Sequence, residues 1–165
     1  MTPPLTTTLA ALADALRSAR DPWWIIGSAA VALHGADAGV VGDVDVLTSH
    51  RDAAMLCATQ NLQIASTTPV PPTPVPPSPG PPTPGERFRS RLFARWTAPP
   101  LAVEVMADLA VSTQTGWHRV RPTTRVPLET DGGPIFIPSA DEMIAILHLF
   151  GRDKDLGRAV ALIAR

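Results

Sequence analysis

Asp43 and Asp45 stand one residue apart inside an otherwise apolar run, "GDVDVLTS". On a β-strand they would point to one face, about 6–7 Å apart at Cα. Charges in a buried strand are costly unless something pairs with them. One reading is a solvated strand face. The other is a pair of carboxylates converging on divalent ions, which in two-metal sites sit about 3.5–4 Å apart and hold a triphosphate while activating an attacking hydroxyl. An oxygen-only ligand set suits Mg²⁺. Upstream, the apolar "WWII" breaks at Gly27-Ser28 before an Ala- and Leu-rich stretch. Free amides and the dipole at a helix start attract anions. Gly27 would let a phosphate approach the backbone, and the Ser28 hydroxyl adds a donor. Each feature alone is common, whereas strand, Gly-Ser, helix, loop and strand with Asp-x-Asp form a more specific combination.

Other residues could complete such a site. Glu104 is embedded in the strand-like "LAVEVMADLAV", and Asp108, four residues on, could share its face. In "ERFRSRLFARW", Phe88, Leu92, Ala94 and Trp96 alternate with Arg87, Arg89, Arg91 and Arg95. That arginine face could meet phosphates, although a charged strand edge that blocks aggregation is the commoner reason for one. Lys154 could reach a phosphate or simply solvate its helix. His34 and His148 read as packed, satisfied histidines, and no serine lies in a strained nucleophile elbow.

The elements that must position these residues follow from pattern and punctuation. Leu5, Leu9, Leu12 and Leu16 predict a helix that stops at Asp21-Pro22. "WWII" and "DVDVLT" predict strands, with a helix between them ending at Gly35. Ser49 caps a helix to about Asn61, with Asp52 supporting its first turn. "RVPLETDGGPIFIP" predicts a hairpin. "SADE" is a capping box, Ser139 with Glu142, opening a helix closed at Gly151, and a last helix follows. Ten of the sixteen residues from Pro69 to Pro84 are proline. This marks a proline-rich, disordered insertion over 69–85 between two strands, or alternatively a ligand for a proline-recognising partner. The expected organisation is one domain over 1–165 with C-terminal helices over 139–165.

Composition excludes several classes. The net charge of −1 draws the chain to neither nucleic acid nor an anionic membrane. Cys57 is the lone cysteine, which leaves no disulfide framework and no Cys-based zinc site. The apolar stretch Trp23–Leu33 is too short to span a bilayer. A cytoplasmic location is the expectation.

The run from Trp23 to Ser49 resembles the DNA polymerase beta-like nucleotidyltransferase superfamily, whose motif is Gly-Gly or Gly-Ser, a helix, then Asp-x-Asp on a strand. "ALHG", the acid in "VEVM" and the ending "SADEMIAILHLFGRDKDLGRA" are similar to its small stand-alone, toxin- and antitoxin-like branch. The resemblance implies an α/β (α+β) fold: a small mixed β-sheet flanked by helices, a nucleotidyltransferase core with a C-terminal helical hairpin. It implies transfer of a nucleoside monophosphate from an NTP to a hydroxyl acceptor, whether small molecule, protein or tRNA end. Asp43, Asp45 and Glu104 would be the catalytic, metal-holding carboxylates for two Mg²⁺ ions, and Gly27, Ser28 and Lys154 would bind the nucleotide. In that family the third carboxylate is usually an aspartate, which keeps Asp108 in view. Fourteen residues separate Ser28 from Asp43, at or beyond the long end of the usual gap, and Gly42 stands where many relatives carry a basic or hydroxylated residue. The alternative is a catalytically silent nucleotidyltransferase fold that binds a nucleotide or a partner protein in a toxin–antitoxin pair.

Overall fold

The structure, a computed structural model, describes residues 2–67 and 86–165. The proline-rich insertion expected over 69–85 lies outside the described residues. The first helix, α1 (Pro3–Ala15), starts with two prolines, where a missing amide forfeits no helical bond. It buries Leu5, Leu9 and Leu12 and ends short of Asp21-Pro22. Then follow β1 (Trp24–Ile26), α2 (Gly27–Leu33), β2 (Asp43–Thr48), α3 (His50–Gln60) and β3 (Gln63–Thr67). Beyond the undescribed stretch come β4 (Phe88–Arg89), β5 (Leu92–Trp96), β6 (Ala102–Ala107), β7 (Ala110–Thr113) and β8 (Gly116–Arg119). The hairpin β9 (Val126–Thr130) and β10 (Gly133–Ile137) leads to α4 (Ala140–Phe150) and α5 (Asp153–Ile163), which pack together.

The main sheet has five strands in the order β1-β2-β6-β5-β3. Only the central pair, β2 with β6, runs parallel, so the sheet is mixed as expected. Val44, Val46, Val103, Val105 and Ala94 are fully buried on one face, and α3 packs against β5 and β6. Strands β3 and β5 pair antiparallel at the edge of this sheet. Helix α1 lies on the β9–β10 hairpin so closely that a Cβ at Gly132 would overlap the Ala10 backbone. None of the described helices is long and apolar enough to cross a membrane.

Two stretches read as single strands are each divided between two sheets. In the basic stretch, β4 joins β7 and β8 while β5 joins the main sheet. The break falls at Ser90-Arg91, where the Arg91 amide donates to the Ala107 carbonyl at 2.8 Å. In "LAVEVMADLAV", β6 ends at Ala107 because Asp108 takes a left-handed conformation, φ 53°. Alternation counted through either break therefore fails. The arginines do not share one face: Arg89 pairs with Glu86, Arg91 with Asp108 and Arg95 with Glu104. His148 is exposed, since α4 buries Met143, Ile146, Leu147 and Phe150 instead.

Two capping residues have second roles. Ser49 caps α3 by accepting from the Asp52 amide, but the buried Asp52 carboxylate accepts from the backbone amides of Arg20 and Asp21, tying α3 to the turn after α1. Ser139 caps α4 by accepting from the Glu142 amide at 3.3 Å. The reciprocal half of the box is absent. The Glu142 carboxylate instead accepts from the amides and hydroxyls of Thr123 and Thr124. Burial opposes its charge, but these four bonds outweigh that and hold its carboxyl below the usual glutamate range.

A lowered acid pKa contributes stability that is present above the unfolded-state value, 4.5, and is lost as pH falls through the folded-state one. Glu142→Ala should cost about 1–3 kcal/mol at pH 7. Urea melts across pH 3–7 should show the mutant's deficit shrinking toward acid.

Candidate active site

The site is built on the two central strands. Parallel pairing sets Asp45 opposite Glu104 and Asp43 opposite Ala102. Strand alternation turns Asp43, Asp45 and Glu104 to one face, while Val44, Val46, Val103 and Val105 fill the core behind them. Beyond Glu104 on the same face lies Arg95 of β5, its register partner, whose Nη2 donates to Glu104 Oε1.

At the other edge, β1 pairs with β2 so that Ile26 stands opposite Asp45, and the chain then turns directly into α2. Gly27 makes that turn at φ +67°, a conformation other residues rarely adopt, and a Cβ there would overlap the Asp45 carboxylate. The missing Cβ at Gly27 therefore makes room for the Asp45 carboxylate. Ser28 is buried at the first turn of α2 and lines the same cavity as Asp43.

That cavity, of about 700 Å³, is lined by Asp43, Asp45, Glu104, Ser28 and Gly42 together with Arg152, Lys154 and Arg158. Phe88, Phe93 and Phe150 supply apolar wall, Phe88 meeting Phe150 edge-on with ring centroids 5.2 Å apart. Sequence reasoning singled out Lys154 but missed Arg152 and Arg158, which Asp155 organises. Asp155 is fully buried; it accepts from Arg152 Nε at 2.6 Å and Nη2 at 3.0 Å, and lies 3.8 Å from Arg158 Nη1. The Arg152 guanidinium also lies over the Phe88 ring, 4.9 Å from its centroid. The spacing Arg-x-x-Asp-x-x-Arg at the start of a helix, three residues apart on one face, was the available signal.

No family model matches the chain and no curated protein sequence matches it. Its shape does match solved structures. A Thermotoga maritima protein assigned as a nucleotidyltransferase superposes with a TM-score of 0.63 over 96% of this chain and 92% of its own, at 22% identity. The antibiotic-resistance factor ANT(2'')-Ia gives 0.56 over 97% and 82%, at 11% identity. The lincosamide antibiotic adenylyltransferase LnuA, bound to lincomycin, gives 0.53 over 99% and 98%, at 10% identity. The chain has the nucleotidyltransferase fold.

Within this nucleotidyltransferase fold the two candidates for a third acid are separated. Glu104 lies inside β6 and lines the cavity with the aspartates. Asp108 lies past the strand end, 3.9 Å from both Arg91 and Arg119, against a different cavity. His34 is partly buried, its Nε2 2.9 Å from the Pro138 carbonyl, and burial pushes its pKa down.

Charge is concentrated at Asp45. Burial, with Asp43 and Glu104 nearby, pushes its pKa up to about 7, against the opposing pull of Arg152 and Lys154. An acid raised in the folded state contributes stability that is complete below the unfolded value, 3.8, and lost as pH rises through about 7. Asp45→Asn should therefore melt higher than wild type at pH 8 in EDTA, with the gap closing toward pH 4; scanning calorimetry at both pH values reads this. Gly27→Ala should destabilise by about 1–3 kcal/mol, from the strained backbone and the displaced carboxylate. Chemical denaturation of Gly27→Ala with and without the additional Asp45→Ala change should show the shorter side chain recovering part of the loss.

Proposed function

We propose that this chain is a divalent-metal-dependent nucleotidyltransferase that moves a nucleoside monophosphate from an NTP to a hydroxyl acceptor. The observation that carries the reading is one cavity lined both by Asp43, Asp45 and Glu104 on adjacent strands and by Lys154, Arg152 and Arg158 at the start of α5. Carboxylates suit a metal, and cations suit the phosphates it would accompany. The adenylyltransferase activity named for one structural neighbour supports the same direction.

In donor chemistry the residues suit a divalent ion, while among the described residues no group of three or more His, Cys, Asp or Glu side chains is yet gathered to hold one. Their donors are all carboxylate oxygens, and a cation would offset both the burial of Asp45 and the repulsion it meets from Asp43 and Glu104. Mg²⁺ held by Asp43, Asp45 and Glu104 would supply charge neutralisation at the reacting phosphate. Lys154 would bind the triphosphate, with Gly27 and Ser28 positioned at the start of α2. Arg152 and Arg158 would present their charge from a fixed platform on Asp155. The acceptor oxygen would attack the α-phosphorus, the bond to the bridging oxygen would break, and pyrophosphate would leave. The Glu104 carboxylate would accept the acceptor's proton.

Calorimetric titration of ATP and the other NTPs, with and without Mg²⁺, tests the reading without knowledge of the acceptor. Wild type should bind at least one NTP in a Mg²⁺-dependent manner, and Asp43→Asn/Asp45→Asn should abolish that binding. A folded wild type that binds no NTP would instead support the silent, partner-binding fold.

A further inference from the structure

Glu104 has two suitors. Across β5–β6 its register partner is Arg95, which donates Nη2 to Glu104 Oε1. Across β2–β6 its register partner is Asp45. Three neighbouring strands thus present carboxylate, carboxylate and guanidinium on one face, at about 4.8 Å per strand. A charge-assisted pair of this kind is among the stronger hydrogen bonds available to a side chain. Among the described residues, no group of three or more His, Cys, Asp or Glu side chains is placed to hold a metal ion.

We propose that Arg95 is a latch on Glu104: it occupies the carboxylate that would join the aspartate pair, and metal loading exchanges the guanidinium for the cation. This rests on the reading of Asp43, Asp45 and Glu104 as metal carboxylates. The exposures suit an exchangeable contact, since the Glu104 side chain is 19% exposed and that of Arg95 49%. A fully buried pair would be too costly to open, and a fully exposed one would hold its partner only weakly. Arg152 and Lys154 act on Asp45 from the α5 side, so they do not substitute for Arg95 at its register position on β5. Arg95 is accordingly a positioning residue: it acts through Glu104 and sets how much of the metal's binding energy goes into breaking an ion pair.

The test uses Mn²⁺ alone, with the free ion followed by electron paramagnetic resonance, and circular dichroism to verify folding. Wild type, Arg95→Gln, Glu104→Gln and the double mutant form a cycle. Arg95→Gln should lower the Mn²⁺ Kd about fivefold relative to wild type, the upper range for releasing one partly exposed ion pair. In the Glu104→Gln background the same change should have no effect. Simple removal of a nearby positive charge would tighten Mn²⁺ equally in both backgrounds, and that result overturns the latch. So does an Arg95→Gln Kd equal to or weaker than that of wild type. Asp43→Asn separates the levels of failure. Mn²⁺ binding that disappears in Asp43→Asn yet ignores Arg95→Gln rejects the latch alone, whereas binding indifferent to Asp43→Asn rejects the metal site with it.

Discussion

The in-register parallel pairing of β2 and β6 is the constraint from which the other features of the site follow. Valines at alternate positions of both strands drive one face into the core, and that burial sets the strand register. Once the valines are packed, Asp45 and Glu104 have no choice but to lie side by side on the opposite face. A slip of one residue in either strand would bury a carboxylate and expose a valine. Core packing and placement of the acids are therefore one event, and the acids occupy rigid strands rather than loops.

That arrangement has an energetic cost, concentrated at Asp45. The residue packs against the Gly27 backbone and faces two further carboxylates, and burial followed by their charge raises its pKa. The fold contains partial compensation. Arg152 and Lys154 oppose the repulsion from the start of α5, and Arg95 takes up Glu104. Asp155 is the structural counterpart of this scheme: a buried acid whose charge is matched by Arg152 and Arg158, so that two guanidinium groups are anchored beside the acidic strands. The acidic charge sits on the strands and the basic charge on α5, two opposed elements.

The smaller sheet, β4-β7-β8, shapes the cavity more than its size indicates. Phe88 on β4 packs edge-on against Phe150 at the end of α4 and lies beneath the Arg152 guanidinium. The short strand thereby couples the C-terminal helical pair to the chain that leads into β5. Past the connection at Ser90-Arg91, β5 carries both Phe93 of the same apolar wall and Arg95, so one continuous segment serves two sheets.

Local signals in the sequence determined α1 to α3 with β1 and β2, the β9–β10 hairpin and the helical ending, because each depends on periodicity and on capping or breaking residues within a few positions. They also determined that Asp43 and Asp45 share a face, since that follows from one strand's alternation. The sequence placed Gly27 and Ser28 at a strand-to-helix turn for a similar reason. What stood beside those residues was decided only by tertiary structure. Arg95 opposite Glu104 and Asp45 against Gly27 bring together groups whose meeting depends on strand pairing and packing, whereas Asp155 lies three residues from each of its arginines. The divisions at Ser90-Arg91 and at Asp108 were equally hidden, because alternation continues through both in sequence. There, pairing with different sheets, rather than local preference, decides where each strand ends.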